Sequence, residues 1–372
     1  MKQTVRAEAR LLQGTSREFA QKVLLKLREE NDRYPHADLD RSVFETAFGM
    51  DFFHLWLPES MGGLDGHIGN LCTILLNIAE VDASMAVAIL TNAMSQEILL
   101  QAGEHQRIAE WYSRGASLGD ALISFSAFAN PMETPPAITA LEPDGTVRLR
   151  GIAQGMALGN MAQRLIVPAR IASDSEYSYF LVPSTHPTVR TGESLIHLGL
   201  HACPVVDIGF DGTPGILIGE RGKAANYYGN MYGRLLPAGA AIATGIMRGS
   251  FNDALKYSRV RIQGGRKIGA WSEVQLLLAD MALKVRNAEL LIEHVSSGGG
   301  SHSRHDNLAA SIPAFEHACE VTSDGVQILG GYGYMEDYSQ EKRYRDAQQV
   351  QSLFGMSYLK KLHYVKTCCK LN

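Results

Sequence analysis

Five cysteines in 372 residues are too few and too scattered for a disulfide framework. Cys72, Cys203, Cys319, Cys368 and Cys369 form no CxxC or CxxH pair, so no zinc-ligand spacing exists and no metal is expected. They read as reduced thiols, which points to a cytoplasmic chain. Charge of one sign is lacking too. Lys plus Arg number 35 against 39 Asp plus Glu, a net charge of −4, which leaves no basic field for nucleic acid or an anionic membrane surface. No run of 18 apolar residues occurs, so no membrane span is expected. Residues 1–6 continue into charged, helix-patterned sequence without a signal-peptide core.

What is present is ordinary globular composition, 45% hydrophobic and 20% charged, with ample material for a core. At about 150 residues per domain the length implies two or three domains. Residues 7–116 carry helical periodicity, broadest over 71–80 and 85–100. The exception is a Pro- and Gly-rich stretch at 57–66, read as a loop between helices. From 121 to 219 the pattern changes to short β-rich pieces at 122–125, 147–150, 165–171, 177–182 and 205–210. Turn signals at 143–145 and 211–214 separate them, and no long crossover helix intervenes. That excludes a parallel Rossmann sheet and predicts an antiparallel barrel or sandwich. Helical patterning returns after 222 in four stretches, 234–260, 271–295, 308–329 and 350–367, a four-helix bundle. The segment 296–307 reads as an exposed linker whose histidines are too loosely spaced for metal. The expected fold is therefore α+β and multidomain: a helical domain at 1–119, a β-domain at 120–222 and a bundle at 223–372.

Two groups in the last third carry recognisable chemistry. Gly330-Gly331 follows a helix-patterned stretch. Such a pair either lets backbone approach a phosphate or ribose, or caps the helix with a left-handed glycine. Arg261 stands beside Gly264-Gly265, where a guanidinium grips a diphosphate through two hydrogen bonds. The alternative is a solvated basic cluster with Arg259, Arg266 and Lys267.

Read together, several motifs resemble acyl-CoA dehydrogenases over residues 7–370. They are the run from Gln327 through Gly330, Gly331, Tyr332, Gly333 and Tyr334 to Tyr338, then Arg345-Asp346-Ala347, and the 261–268 element with Gln275 and Asp280 behind it. Leu57-Pro58-Glu59 with Gly62-Gly63, and Gly219-Glu220-Arg221-Gly222, also match in order. The resemblance implies FAD as cofactor and an acyl thioester of CoA or an acyl carrier protein as substrate, with an electron-transfer partner. It implies that Arg261, Gln263, Gln327, Gly330 and Gly331 hold the ADP part of a FAD bound mainly by a neighbouring subunit. The protein would then be a homodimer, a homotetramer or a hetero-oligomer with a homologue. Arg234 falls where the family contacts CoA, or is a surface charge at the start of a helix.

The sequence departs from the family on the reactive side. Phe354 stands where most members carry the glutamate base, and Gly233 stands at the alternative base position, so no catalytic base is assigned. Residues 125–134 and 153–157 lack the family's flavin-contacting residues. Gly264 replaces a phenylalanine and Met356 a threonine. Three readings stay open: a flavoenzyme of variant chemistry, a non-catalytic subunit lending FAD contacts to an active homologue, and a flavin monooxygenase on the same fold. Phe354 is expected to line the acyl cavity, the alternative being a core aromatic. A glutamate restored there is expected to recover dehydrogenation.

Overall fold

The computed structural model describes residues 2–33, 40–64, 67–112, 117–131, 136–141, 146–297 and 303–369. The helical first third comprises α1 (Lys2–Phe19), α2 (Leu25–Asn31), α3 (Arg41–Gly49), α4 (Ile68–Ala79), α5 (Ala83–Gln101), α6 (His105–Trp111) and α7 (Leu118–Ala121). A π-helical turn, Ala20–Leu24, joins α1 to α2. Side chains start these helices at their free amides. Asp40 accepts from the Ser42 N–H at 2.9 Å, Asp82 from the Ser84 N–H at 2.9 Å, and Ser117 with Asp120 forms a capping box. The loop read at 57–66 contains a 3₁₀ turn, Glu59–Met61, and Asp65 and Gly66 lie outside the described residues. Helix α5 is largely apolar and buried on all sides from Ala83 to Leu99. Among the described residues it is the one helix long and apolar enough to cross a membrane, and 94% of its apolar window is buried in protein. It is the central rod of the helical core.

The β-region holds β1 (Ile123–Ser124), β2 (Thr139–Leu141), β3 (Arg148–Ala157), β4 (Arg164–Ile171), β5 (Tyr177–Pro183), β6 (Val189–Ser194), β7 (Val205–Pro214) and β8 (Ile216–Ile218). The strand order is β6-β7-β3-β2-β4-β5-β8, with β1 also on β4. It is an open sheet and not a closed barrel. It also corrects the purely antiparallel expectation, because β1 and β2 each pair with β4 in parallel. The reason is local. β1 and β2 lie in line along one edge of β4, Ile123 opposite Arg164 and Thr139 opposite Arg170. The antiparallel pairs β3·β7 and β4·β5 supply most of the ladder. The sheet has its own apolar core, including Leu149, Leu165, Val167, Phe180 and Ile208. The turn signal at 143–145 lies outside the described residues.

After β8 come α8 (Ala224–Val260), the hairpin β9 (Ile262–Gln263) and β10 (Arg266–Lys267), α9 (Ser272–Ser297), α10 (Arg304–Leu329), α11 (Gln340–Val350) and α12 (Ser357–Cys369). The helix expected at 350–367 begins only at Ser357, as α12, and residues 351–356 form a turn after α11. Phe354 at φ 61° and Gly355 at φ 102° cannot continue a helix, so a tight turn separates α11 from α12. Of the expected 296–307 linker, α9 takes the first residues and α10 begins at its Ser303 cap, while 298–302 lie outside the described residues. These helices share one core with the first third, because Leu71, Ile242, Phe315 and Phe354 belong to a single buried cluster.

A charge clasp that the sequence did not reveal joins the three regions. The buried Lys342 ammonium sits 2.6 Å from Asp346 and 3.6 Å from Asp82, and Asp346 also accepts from the Leu200 N–H at 2.6 Å. Arg345 pairs with Glu341 at 2.6 Å and with Asp32, which His201 meets at 3.1 Å. Burial works to raise the Asp32 carboxyl, but the His201 hydrogen bond and the Lys342 and Arg345 charges hold it well below the usual range. The Asp32 hydrogen bond raises His201. A raised histidine contributes stability that is complete below its unfolded pKa, about 6.5, and is lost as the pH climbs through the folded value. The stability gap between the native chain and His201→Gln should therefore shrink from about pH 6 to about pH 8. Urea melts of both proteins measure it, and a gap that widens with pH would contradict the clasp.

Candidate cofactor cleft

Helix α8 ends at Arg261, whose N–H still bonds back to the Tyr257 carbonyl at 3.0 Å while its backbone turns extended. Two residues on, Gly264 (φ 64°) and Gly265 (φ 81°) make the two-residue turn of the β9–β10 hairpin. Both central φ values are positive, which glycine takes without strain. The turn points Arg261 and Gln263 at the end of α10. There Gly330 caps the helix at φ 59°, its N–H on the Gln327 and Val326 carbonyls. Gly330 thus ends the helix, with ψ −131° and not in the left-handed α conformation expected of a cap, and the same glycines face a cavity. A Cβ on Gly330 or Gly331 would meet nothing within 4 Å.

Between these two ends lies a cleft of about 890 Å³. Arg261, Gln263, Gln327, Gly330 and Gly331 all line it. Tyr257, Trp271 and Tyr332 form its aromatic walls, which sequence reasoning missed because aromatics at helical spacing read as core. Arg261 lies over the Tyr332 ring at 5.4 Å, and no carboxylate among the described residues stands within ion-pair distance of it. Burial raises the Tyr257 phenol, and the nearby Arg261 charge opposes that shift. An open backbone, an unpaired guanidinium, two amides and aromatic walls fit the adenosine diphosphate half of a dinucleotide cofactor. Among the described residues no group of three or more His, Cys, Asp or Glu side chains is arranged to hold a metal ion.

Arg234 lies elsewhere. Its guanidinium, 55% exposed, is bonded at 2.6 Å to Glu97, whose side chain is fully buried, and lies 5.2 Å over the Trp56 ring. Glu97 also accepts from Trp56 Nε1 at 2.9 Å and Gln101 Nε2 at 2.8 Å. The arginine ties α8 to α5. Arg234→Ala removes the positive partner of a buried carboxylate and should cost about 1–3 kcal/mol in chemical denaturation. A loss within about 0.5 kcal/mol would mean that the pair contributes nothing.

Of the two positions where the resemblance would put a base, the one at Phe354 is closed by packing. The Phe354 side chain is fully buried, 5.8 Å from the Tyr232 ring, and it occupies the space a Cβ on Gly239 would need. Its N–H donates to the Ala127 carbonyl at 2.9 Å, in the loop between β1 and β2. Tyr228 Oη donates toward the Ala129 and Phe354 carbonyls at 3.3 and 3.4 Å. The expectation of a cavity-lining Phe354 is therefore corrected: it is a core aromatic sealing the sheet loop onto the bundle. Gly233 is covered by the Arg304 side chain, which a Cβ there would meet at 3.5 Å, and its carbonyl accepts from Asn307 Nδ2 at 2.9 Å.

Helices around an open sheet, backed by a bundle that presents a diphosphate-fitting cleft, define a class of flavoprotein. Two family models match the chain: the acyl-CoA dehydrogenase N-terminal domain over residues 6–118 and the C-terminal domain over 231–362, together about two thirds of it. The chain belongs to the acyl-CoA dehydrogenase family, FAD-dependent oxidoreductases. It is 27% identical over 336 residues to cyclohexane-1-carbonyl-CoA dehydrogenase of Geobacter metallireducens, covering 87% of this chain and 88% of that one. It is 25% identical over 372 residues to a subunit of the caffeyl-CoA reductase-Etf complex of Acetobacterium woodii, covering 95% and 96%. Its fold superposes on butyryl-CoA dehydrogenase from Megasphaera elsdenii with a TM-score of 0.88 at 21% identity, covering 97% and 98%.

Proposed function

We propose that this chain works in a FAD-dependent oxidoreductase of acyl thioesters by closing its Arg261–Gly331 cleft over the adenosine diphosphate half of a FAD whose flavin lies on a neighbouring subunit. The observation that carries the reading is the convergence of Arg261, Gln263, Gln327, Gly330 and Gly331 on one cleft from two separate segments. Arg261 supplies the charge that a diphosphate needs, and the side-chain-free glycines let its oxygens approach backbone. Gln263 and Gln327 offer amides to ribose hydroxyls. When bound, the flavin supplies the centre that accepts a hydride from the acyl chain. The substrate is an acyl group on CoA or on a carrier protein, and the electrons pass on to an electron-transfer flavoprotein. That last step is supported by the caffeyl-CoA reductase-Etf subunit among the relatives. Five free cysteines suit a reducing cytoplasm.

A second reading is favoured by the residue types at positions 354 and 233. With no carboxylate at either base position, the chain acts as the partner-lending subunit of a hetero-oligomer and a homologous subunit performs proton abstraction. The visible spectrum of the purified chain separates the two. A yellow protein alone supports the self-sufficient oligomer. A colourless chain that enters a yellow complex only with a homologue supports the lending subunit. A requirement for zinc or a nicotinamide would overturn both.

A further inference from the structure

The element at 261–268 carries a residue without a side chain, Gly264, at the turn of its hairpin. The structure shows what occupies the space beside it. A Cβ on Gly264 would stand 2.9 Å from Cζ2 of Trp271, and the φ of 64° would strain an L side chain. The indole is half-buried and lines the cleft together with Arg261 and Gln327. Three contacts fix it. Its Nε1 donates to the Gln263 carbonyl at 3.3 Å, the Arg266 guanidinium lies 3.6 Å over the ring, and the Gly264 backbone abuts its edge.

We propose that Trp271 is the aromatic wall of the adenosine diphosphate site, packing against the adenosine of the bound cofactor in the space left open at position 264. The proposal rests on the dinucleotide reading of the cleft and adds a named specificity residue to it. Its physical basis is preorganisation. An indole already held by a hydrogen bond and a stacked cation loses little freedom when a purine packs on it, and aromatic packing on a base contributes about 1–3 kcal/mol.

The chain has three tryptophans, Trp56, Trp111 and Trp271. Trp56 is buried under Arg234 and Trp111 lies under Arg164, and neither lines the cleft. Titrating the full-length chain, alone and with any homologous subunit it pairs with, with ADP and then FAD should quench tryptophan emission. That quench should vanish in Trp271→Phe. Calorimetry on the same samples should find ADP bound about 5- to 100-fold more weakly by Trp271→Leu. Trp271→Phe should fall between it and the native chain. If calorimetry shows ADP binding equally well to all three proteins with no change in emission, the proposal fails while the dinucleotide reading stands. If neither nucleotide binds the native protein in any form, the dinucleotide reading itself fails. Trp271→Phe keeps the ring volume nearly intact, so its fluorescence result stands even if Trp271→Leu does not fold.

Discussion

Phe354→Ala should cost about 3–5 kcal/mol of unfolding free energy, the range for truncating a fully buried aromatic. The ring contacts Tyr232 and fills the notch opposite Gly239, so its removal leaves a cavity that the packed middles of α8 and α10 cannot close. The backbone adds to the cost, because alanine keeps the unfavourable φ of 61° without the packing that holds it there. The same geometry reverses the expectation for Phe354→Glu. A carboxyl at this point would sit in a largely apolar core, beside the buried Lys360 ammonium that donates to the Gly355 carbonyl at 2.6 Å. Burial would raise its pKa and the Lys360 charge would oppose that, but the closed packing leaves no room for a substrate to deprotonate. Phe354→Glu should therefore destabilise the chain and gain no turnover. The native chain should be slow on saturated acyl-CoA esters, about 10²–10⁴-fold below a base-assisted rate. A dye-reduction assay over a panel of chain lengths, with guanidinium melts of both variants, reads these outcomes. Native turnover near about 10 per second would show that a base exists elsewhere.

The parts of the molecule that were legible in advance are those where residue type dictates backbone. Gly264-Gly265 demands a tight hairpin and Gly330 a helix end, and both sit where their chemistry puts them. The alternation from helix to strand and back was visible because the hydrophobic period changes near 121 and again after 219. Three things were not visible. The parallel pairing of β1 and β2 with β4 depends on which edge a two- or three-residue strand reaches, and such short strands carry no pattern. The clasp of Lys342, Asp346, Asp82, Asp32, His201 and Arg345 draws on four distant segments, and its members read singly as solvated charges. The role of Trp271 was hidden because the notable feature at position 264 was an absence, and only the fold shows which neighbour fills it. Phe354 teaches the converse. Matching it to a catalytic position says which residue is missing but not whether the surrounding space survives, and here the sheet loop at Ala127 and the Tyr228 hydroxyl have closed over it.

Arg261→Ala should weaken FAD retention by the assembled protein about 10- to 100-fold without changing the melting temperature of the cofactor-free chain. The two halves of this result have separate causes. The guanidinium is exposed and has no carboxylate partner among the described residues, so its loss removes only a cation over Tyr332, a contact of about 0.5–1 kcal/mol at an exposed site. The helix end is held by the Arg261 backbone N–H, which alanine keeps. Toward a diphosphate the same side chain makes charge-assisted hydrogen bonds, each contributing about 1.5–3 kcal/mol. Arg261→Lys separates charge from geometry, since an ammonium keeps the positive field but not the planar fork, and it should fall between alanine and the native residue. Raising the salt concentration should narrow the difference between native and Arg261→Ala, because the cleft is open to solvent and its electrostatics are screened. Equilibrium dialysis of FAD at two ionic strengths measures all three proteins. Equal retention by native and Arg261→Ala would place the diphosphate outside this cleft, and with it the reading of Gln263, Gln327, Gly330 and Gly331 as its companions.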